Sequence, residues 1–79
     1  MLENIEVGDR VINSRGEEAS VTEVIKYENG RTRLCLETPI VGWLDRGARQ
    51  SWSYENNGEF VREFNDQKAS NLVKVIKHD

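Results

Sequence analysis

Turns that contain glycine recur along the whole chain and divide it into short segments rich in β-branched and aromatic residues. The turn glycines are Gly16, Gly30, Gly47 and Gly58, spaced about 11 to 17 residues apart. This spacing leaves room for strands of ordinary length, but a helix that connects two parallel strands needs a crossover of about a dozen residues or more. The spacing therefore predicts a fold of short antiparallel β-strands.

The Asn29-Gly30 pair is the clearest local signal for a hairpin. A two-residue type I′ turn requires positive φ at both central positions, and Asn followed by Gly adopts this conformation at little cost. The next segment alternates strictly, with Leu34 and Leu36 on one face and Arg33 on the other. We therefore expect a type I′ turn that joins the second strand to a third strand whose leucine face lies in the core.

Two less regular segments leave the strand count open. Adjacent Val24 and Ile25 interrupt the alternation of the second strand, at 19–27, which predicts a bulge or a partly covered edge there. Pro39 has no N–H for a ladder, so it ends the third strand or bends it. The following segment, 40–44, is then an extension of that strand or a short strand of its own.

The rest of the chain predicts a second hairpin and a closing strand. Trp52 and Tyr54 alternate with serines and so share one face, and Gly58 then turns the chain into an apolar segment at 59–64. A short polar stretch precedes the closing strand, which we place at 72–77.

The length of 79 residues limits the fold to one domain, spanning residues 1–79. A chain of this size buries roughly 60% of the surface that it exposes when unfolded, so its core is small. Five or six short strands cannot easily build two full sheets. One curled sheet, however, hides edges that would otherwise pair with other chains. We therefore expect an all-β fold, a small SH3-like, partly open barrel of five to six antiparallel strands.

The composition excludes several classes of protein. Hydrophobic residues make up 37% and charged residues 32% of the chain, which is typical of a globular domain. The single cysteine, Cys35, excludes an intramolecular disulfide and cannot supply a zinc site alone. No segment approaches the roughly 18 apolar residues of a membrane span, and the first residues show no signal-peptide pattern. We expect a soluble, cytoplasmic protein with no membrane partner.

No group of residues in the sequence predicts catalysis. Cys35 would need a nearby base to act as a nucleophile, and the sole histidine, His78, lies in the C-terminal tail. The carboxylates show no acid–base or metal-ligand spacing. We therefore predict no catalytic residue, no metal site, no cofactor and no enzymatic activity.

The aromatic residues have two interpretations. Aromatic side chains in a small barrel usually pack in the core or in cross-strand pairs. Small barrels also bind peptides or stacked bases in aromatic surface grooves. Because so small a core leaves at least one tryptophan partly exposed, we expect exposure of Trp43 or Trp52 together with Tyr54.

The arginines also have two interpretations. Arg31 and Arg33 share the outer face of the third strand, and Arg49 lies in the next hairpin. A solvated face explains them, but a strip of guanidinium groups beside the aromatics would bind phosphates or an acidic partner. The net charge of −3 disfavours nucleic acid as that partner. The candidate partner-binding residues are Trp43, Trp52, Tyr54, Arg31, Arg33 and Arg49.

The beginning of the chain resembles the opening hairpin of SH3-like barrels, including the KOW type. The resemblance rests on residues 7–11 (VGDRV), followed by Gly16 and Val21. After Gly16 the second glycine and the basic residue of a KOW element are absent, which puts RNA binding or ribosome association in doubt.

The C-terminal half is similar to short phage and prophage proteins of unassigned function. The similar segments are 34–44, 52–54, 57–58 and 70–73, with Asn71 in place of an aspartate. This resemblance implies a viral or mobile-element origin and brings no known activity.

We therefore predict a non-enzymatic module that binds a host or viral protein through exposed aromatic residues. The alternative is a nucleic-acid-binding barrel that uses Arg31, Arg33 and Arg49 with stacking from Trp52. A third possibility is a homo-oligomer that pairs through an open edge of the barrel.

Overall fold

The computed structural model describes residues 1–37, 49–61 and 70–79. Within these ranges five antiparallel strands form one open sheet, and no helix is present, hence none that could span a membrane. The strands are β1 Arg10–Asn13, β2 Glu18–Lys26, β3 Thr32–Glu37, β4 Arg49–Tyr54 and β5 Leu72–Ile76. Their order across the sheet is β4-β3-β2-β1-β5. The predicted all-β antiparallel fold is confirmed.

The turn between β2 and β3 contains three residues. The Tyr27 N–H donates to the Arg31 carbonyl oxygen over 2.9 Å, and the Gly30 N–H donates to the Tyr27 carbonyl oxygen over 3.2 Å. Residues 28–30 therefore form the loop, and Gly30 closes it with a φ of 89°. Asn29-Gly30 joins the two strands as predicted, but the prediction of a two-residue type I′ turn is wrong.

The same three-residue loop recurs in two other hairpins. In the β1–β2 loop the Asn13 N–H donates to the Glu17 carbonyl oxygen over 3.0 Å, and Gly16 is the last loop residue. An equivalent bond closes the loop after β4, which ends at Gly58. Glycine at the third loop position thus explains the regular turn signals of the sequence.

The segment after β4 meets the start of β5. The Leu72 N–H donates to the Gly58 carbonyl oxygen over 2.7 Å, and the Phe60 N–H donates to Asn71 Oδ1 over 2.9 Å. A Cβ atom at Gly58 would lie 2.4 Å from the Leu72 oxygen, so this close contact requires glycine. Contact between the two edges of the sheet is consistent with a small, partly open barrel.

The core lies on the inner face of the sheet, and alternation along each strand selects its members. In β3, Leu34 and Leu36 are fully buried, whereas Arg33 and Cys35 are partly exposed. The buried apolar side chains are Leu2, Ile5, Val11, Ala19, Val21, Leu34, Leu36, Trp52, Tyr54 and Leu72. The predicted leucine face of the third strand is confirmed as core.

Trp52 and Tyr54 belong to this core. Trp52 is 7% exposed and Tyr54 is fully buried. Their rings contact the ring of Phe60 at centroid distances of 6.3 and 5.9 Å, in edge-on and tilted geometries that aromatic pairs prefer. The expected exposure of Trp52 and Tyr54 is therefore not found, because β4 directs their shared face inward. Trp43 lies outside the described residues.

The irregularity of β2 lies closer to the start of the strand than its sequence predicts. The pairing register of β2 against β3 shifts between Val21 and Glu23, rather than at Val24 and Ile25. The segment 39–44, which contains the predicted bend, lies outside the described residues.

Candidate binding surface

Strand register brings the outward-pointing residues of β2, β3 and β4 onto one surface. Arg33 lies between Ile25 of β2 and Ser53 of β4, and Arg31 lies across the loop from Tyr27. Paired residues of antiparallel strands point to the same side of a sheet. We call this surface the outer face, and its residues are Ile25, Tyr27, Arg31, Arg33, Ser51, Ser53 and Glu55.

Two large apolar side chains of the outer face are exposed. Ile25 is 37% exposed and Tyr27 is 44% exposed. A single exposed apolar residue is ordinary, but only Lys26, the last residue of β2, separates these two. They point to the same side because Tyr27 continues the pairing of β2 through its hydrogen bond to Arg31. Tyrosine combines an apolar ring with a hydroxyl group, and this combination is enriched at protein interfaces.

Tyr27 also borders a groove at the β2–β3 loop. The groove has a volume of about 290 Å³ and is open to solvent. It is lined by Glu3, Lys26, Tyr27, Gly30, Arg31, Thr32 and Asn56. Since Tyr27 and Arg31 belong to both the groove and the outer face, one ligand could contact both.

Arg31 forms an ion pair with Glu55 within the outer face. Its Nε atom lies 2.7 Å from Glu55 Oε1, and both side chains are 44% exposed. Water and salt screen such an exposed pair, which contributes about 0.2–1 kcal/mol to stability. Arg31 is therefore a weak source of positive potential on this surface.

Arg33 has a different environment. Its side chain is partly buried, its Nε donates to Ser51 Oγ over 2.5 Å, and its Nη1 lies 3.5 Å from Ser53 Oγ. Among the residues that the structure describes, no carboxylate forms an ion pair with it. A guanidinium group has five N–H donors and binds a carboxylate bidentately, so Arg33 can still accept an acidic partner.

The structure therefore separates the predicted site residues into three groups. Arg31 and Arg33 lie on the outer face, whereas Trp52 and Tyr54 lie in the core on the other side of the sheet. Arg49 begins β4 opposite Glu37, but its side chain is outside the description, as is all of Trp43. The predicted strip of arginines beside Trp52 or Tyr54 is not formed by Arg31 and Arg33, because the sheet separates them.

Sequence reasoning did not select Ile25 or Tyr27, and the predicted two-residue loop was incompatible with their exposure. A two-residue loop would pair Ile25 with Leu34 and so turn Ile25 and Tyr27 toward the core. The observed three-residue loop pairs Ile25 with Arg33 instead. A shift of one residue in register moves every side chain of a strand to the opposite face. The signal that could have corrected this was the preference of longer hairpin loops for a glycine at their last position.

A second polar site joins the N-terminal segment to the C-terminal end of the chain. The Asp9 side chain is fully buried, and its Oδ2 accepts hydrogen bonds from the Glu6 N–H over 2.9 Å and from Lys77 Nζ over 2.7 Å. Its Oδ1 accepts the His78 N–H over 3.0 Å and lies 2.5 Å from His78 Nδ1. We call Glu6, Asp9, Lys77 and His78 the Asp9 cluster.

Hydrogen bonding keeps Asp9 ionised despite its burial. Burial alone raises the pKa of Asp9, but the hydrogen bonds from His78, Lys77 and the Glu6 backbone outweigh it and hold the pKa well below its ordinary value. The hydrogen bond to Asp9 also raises the pKa of Lys77. The cluster is therefore an ion pair with a buried carboxylate and a partly exposed ammonium.

The Asp9 cluster has the residue types of a metal site but a different arrangement. Ligand atoms of Glu6, Asp9 and His78 lie within 4.8 Å of one another. However, Lys77 Nζ lies 3.1 Å from Glu6 Oε1 and 2.7 Å from Asp9 Oδ2, so an ammonium group already bridges the two carboxylates. We interpret the cluster as a contact that stabilises the fold.

Comparisons with protein-family models, curated proteins and solved structures find no match. The fold and the outer face alone therefore define the class of the protein, a small all-β domain with a mixed apolar and basic surface. Its SH3-like identity, its relation to KOW-type barrels and its phage or prophage origin stay predictions.

Proposed function

We propose that this protein is a non-enzymatic module that binds another protein through its outer face. The observation that carries the proposal is the exposure of Ile25 and Tyr27 beside Arg33, a partly buried arginine with no ion pair among the described residues. The sequence resemblance supports a host or viral protein as the partner. The aromatic contact is assigned to Tyr27 in place of Trp52 and Tyr54.

The chemistry of the surface also limits the partner. Burial of Ile25 and Tyr27 favours an apolar side chain on the other molecule. Arg33 favours a carboxylate at the same interface, because a partly desolvated guanidinium gains from an anionic partner. The expected ligand is thus a polypeptide segment in which an apolar residue stands near Asp or Glu.

The surface gives less support to nucleic-acid binding. Binding to a phosphate backbone requires several uncompensated cations. Arg31 is paired with Glu55 in this structure, and the chain carries a net charge of −3. The attraction of the whole molecule for a polyanion is therefore weak.

A selection from a library of short random displayed peptides tests the proposal without knowledge of the natural partner. We expect enriched peptides to combine apolar and acidic residues, and to lose binding to Tyr27→Ser and Arg33→Gln. The matched controls are Val73→Ala, an exposed apolar residue of β5, and Lys74→Gln, an exposed cation of the same strand. Circular dichroism confirms that all four variants are folded.

Two results would contradict the proposal. One is a selection that enriches no peptide over an unrelated immobilised protein. The other is an equal loss of binding in the β5 controls and the outer-face variants. Fluorescence anisotropy with labelled single- and double-stranded DNA and RNA at low salt forms a parallel experiment. Salt-sensitive binding that requires Arg33, in the absence of any peptide ligand, would favour the nucleic-acid alternative.

A further inference from the structure

We propose that Asn29 is a site of spontaneous covalent modification, at which the side-chain amide is lost to give aspartate and isoaspartate. The proposal concerns the tip of the β2–β3 hairpin and does not depend on the proposed function. It rests on a comparison of two Asn-Gly pairs, Asn29-Gly30 and Asn57-Gly58, that occupy equivalent loops in different surroundings.

The reaction needs only water. The backbone nitrogen of Gly30 attacks Cγ of Asn29, a C–N bond forms, and the amide nitrogen leaves as ammonia after proton transfer. Water then opens the resulting five-membered imide at one of its two carbonyl carbons. Opening at one carbon gives aspartate, and opening at the other gives isoaspartate, whose backbone is longer by one methylene group. No oxidant or reductant takes part.

The nucleophilic nitrogen must lack steric protection, and glycine provides this after both asparagines. The two loops are also alike in their internal hydrogen bonds. Asn29 Oδ1 accepts the Arg31 N–H and Asn57 Oδ1 accepts the Glu59 N–H, each over 3.0 Å. The two reactive pairs therefore start from the same local geometry.

The surroundings of the two loops differ sharply. Gly30 is exposed, and no atom lies within 4 Å of the position that a Cβ would take there. Gly58 is buried, and its carbonyl oxygen accepts the Leu72 N–H over 2.7 Å. A Cβ at Gly58 would lie 2.4 Å from the Leu72 oxygen. Imide formation removes the glycine N–H and so breaks its hydrogen bond in both loops, to Tyr27 from Gly30 and to Glu55 from Gly58. It also moves the glycine backbone, and only at Gly58 does this movement disturb a contact with β5.

The modification would act on the edge of the outer face. The Asn29 loop separates Tyr27 from Arg31, and it is closed by the hydrogen bond between them. Isoaspartate would lengthen this loop and place a carboxylate two residues from Arg31. The fraction of molecules with an altered β2–β3 hairpin would therefore increase with the age of the protein.

Incubation of the purified wild-type protein at mildly alkaline pH, followed by proteolysis and mass spectrometry, measures both sites in one sample. We expect Asn29 to lose its amide at least about tenfold faster than Asn57. A ratio of this size corresponds to the net free-energy contribution of one hydrogen bond. Enzymatic methylation with an isoaspartyl methyltransferase identifies the isoaspartate product. Incubation in concentrated urea is the control, and there the two sites should react at similar rates.

The comparison within one molecule needs no variant that might fail to fold. Equal rates at Asn29 and Asn57 in the folded protein would overturn the proposal, as would a faster reaction at Asn57. A difference that persists unchanged in urea would also overturn it, because the folded surroundings would then not be its cause. The proposal would also be overturned if neither asparagine lost its amide in the folded protein while both did so in the urea sample.

Discussion

Substitution within the Asp9 cluster tests how much this buried contact contributes to the stability of the fold. Replacing Asp9 with asparagine keeps the volume of the side chain and its burial but removes the negative charge. Both carboxylate oxygens accept backbone N–H groups, from Glu6 on one side and from His78 on the other. An amide has only one acceptor oxygen, so its NH₂ group must face one of these donors.

The expected loss of stability follows from these two backbone contacts. The donor that faces the NH₂ group loses its partner, at a cost of about 1–3 kcal/mol. The other donor exchanges a charged acceptor for a neutral one, which costs about 1 kcal/mol more. Solvent screens the contribution of the exposed Lys77, so the loss comes chiefly from the two backbone contacts. The total is about 3 kcal/mol, against a stability of roughly 4–12 kcal/mol for 79 residues.

Urea unfolding at pH 7, followed by tryptophan fluorescence and circular dichroism, measures this loss for Asp9→Asn. Thermal unfolding should show a decrease in Tm of roughly 12–24 °C for a domain of this size. Glu6→Gln is the matched control, because its side chain is 65% exposed and contacts the same lysine. A loss below about 1 kcal/mol in Asp9→Asn, or an equal loss in Glu6→Gln, would refute the assignment of the cluster as a stabilising contact.

The sign of the pH dependence follows from the lowered pKa of Asp9. The unfolded chain takes up a proton near the ordinary value of 3.8, whereas the folded protein does so only at lower pH. The stabilisation is therefore complete above the unfolded value and is lost as the pH falls through the folded value. The difference between wild type and Asp9→Asn should shrink as the pH falls below about 4. A difference that grows on acidification would contradict this linkage.

Three further predictions concern the remainder of the fold. Gly58→Ala should cost about 3 kcal/mol or more, because the new Cβ meets the Leu72 oxygen, whereas Gly30→Ala in open space should cost about 1 kcal/mol; urea unfolding compares the two. Leu34→Ala should lower stability by about 2–5 kcal/mol in the same assay, because Leu34 is fully buried in the core. Arg31→Ala should cost less than about 1 kcal/mol, since its ion pair is exposed, and a larger loss would show that the pair is more than a surface contact.

Local sequence signals predicted the strands well because strand formation here depends on alternation and turns. The predictions at 19–27 and 72–77 match β2 and β5 to within one residue at each end. What they could not supply was the length of the β2–β3 loop. Asn29-Gly30 is compatible with a two-residue loop and with a three-residue loop, and the choice between them determines to which side of the sheet Tyr27 points.

The Asp9 cluster could not be predicted because its partners are far apart in the chain. Lys77 and His78 are separated from Asp9 by 68 and 69 residues. The C-terminal tail that carries His78 contains no periodic pattern, so its contact with Asp9 cannot be predicted from the local sequence. The His78 N–H nevertheless donates to the buried Asp9 carboxylate, and this hydrogen bond places the sole histidine beside Gly8.

The energy available on the outer face also limits how a partner can bind. Full burial of a large apolar side chain contributes about 1.5–3 kcal/mol, so the remaining exposure of Ile25 and Tyr27 contributes roughly 1 kcal/mol each. A hydrogen-bonded carboxylate on Arg33 adds about 1.5–3 kcal/mol. These contributions reach about 3.5–5 kcal/mol, whereas micromolar affinity requires about 8 kcal/mol after the cost of association has been met. A partner must therefore contact more than the outer face, and the groove beside Tyr27 and Arg31 is the adjoining surface that can supply the additional contacts.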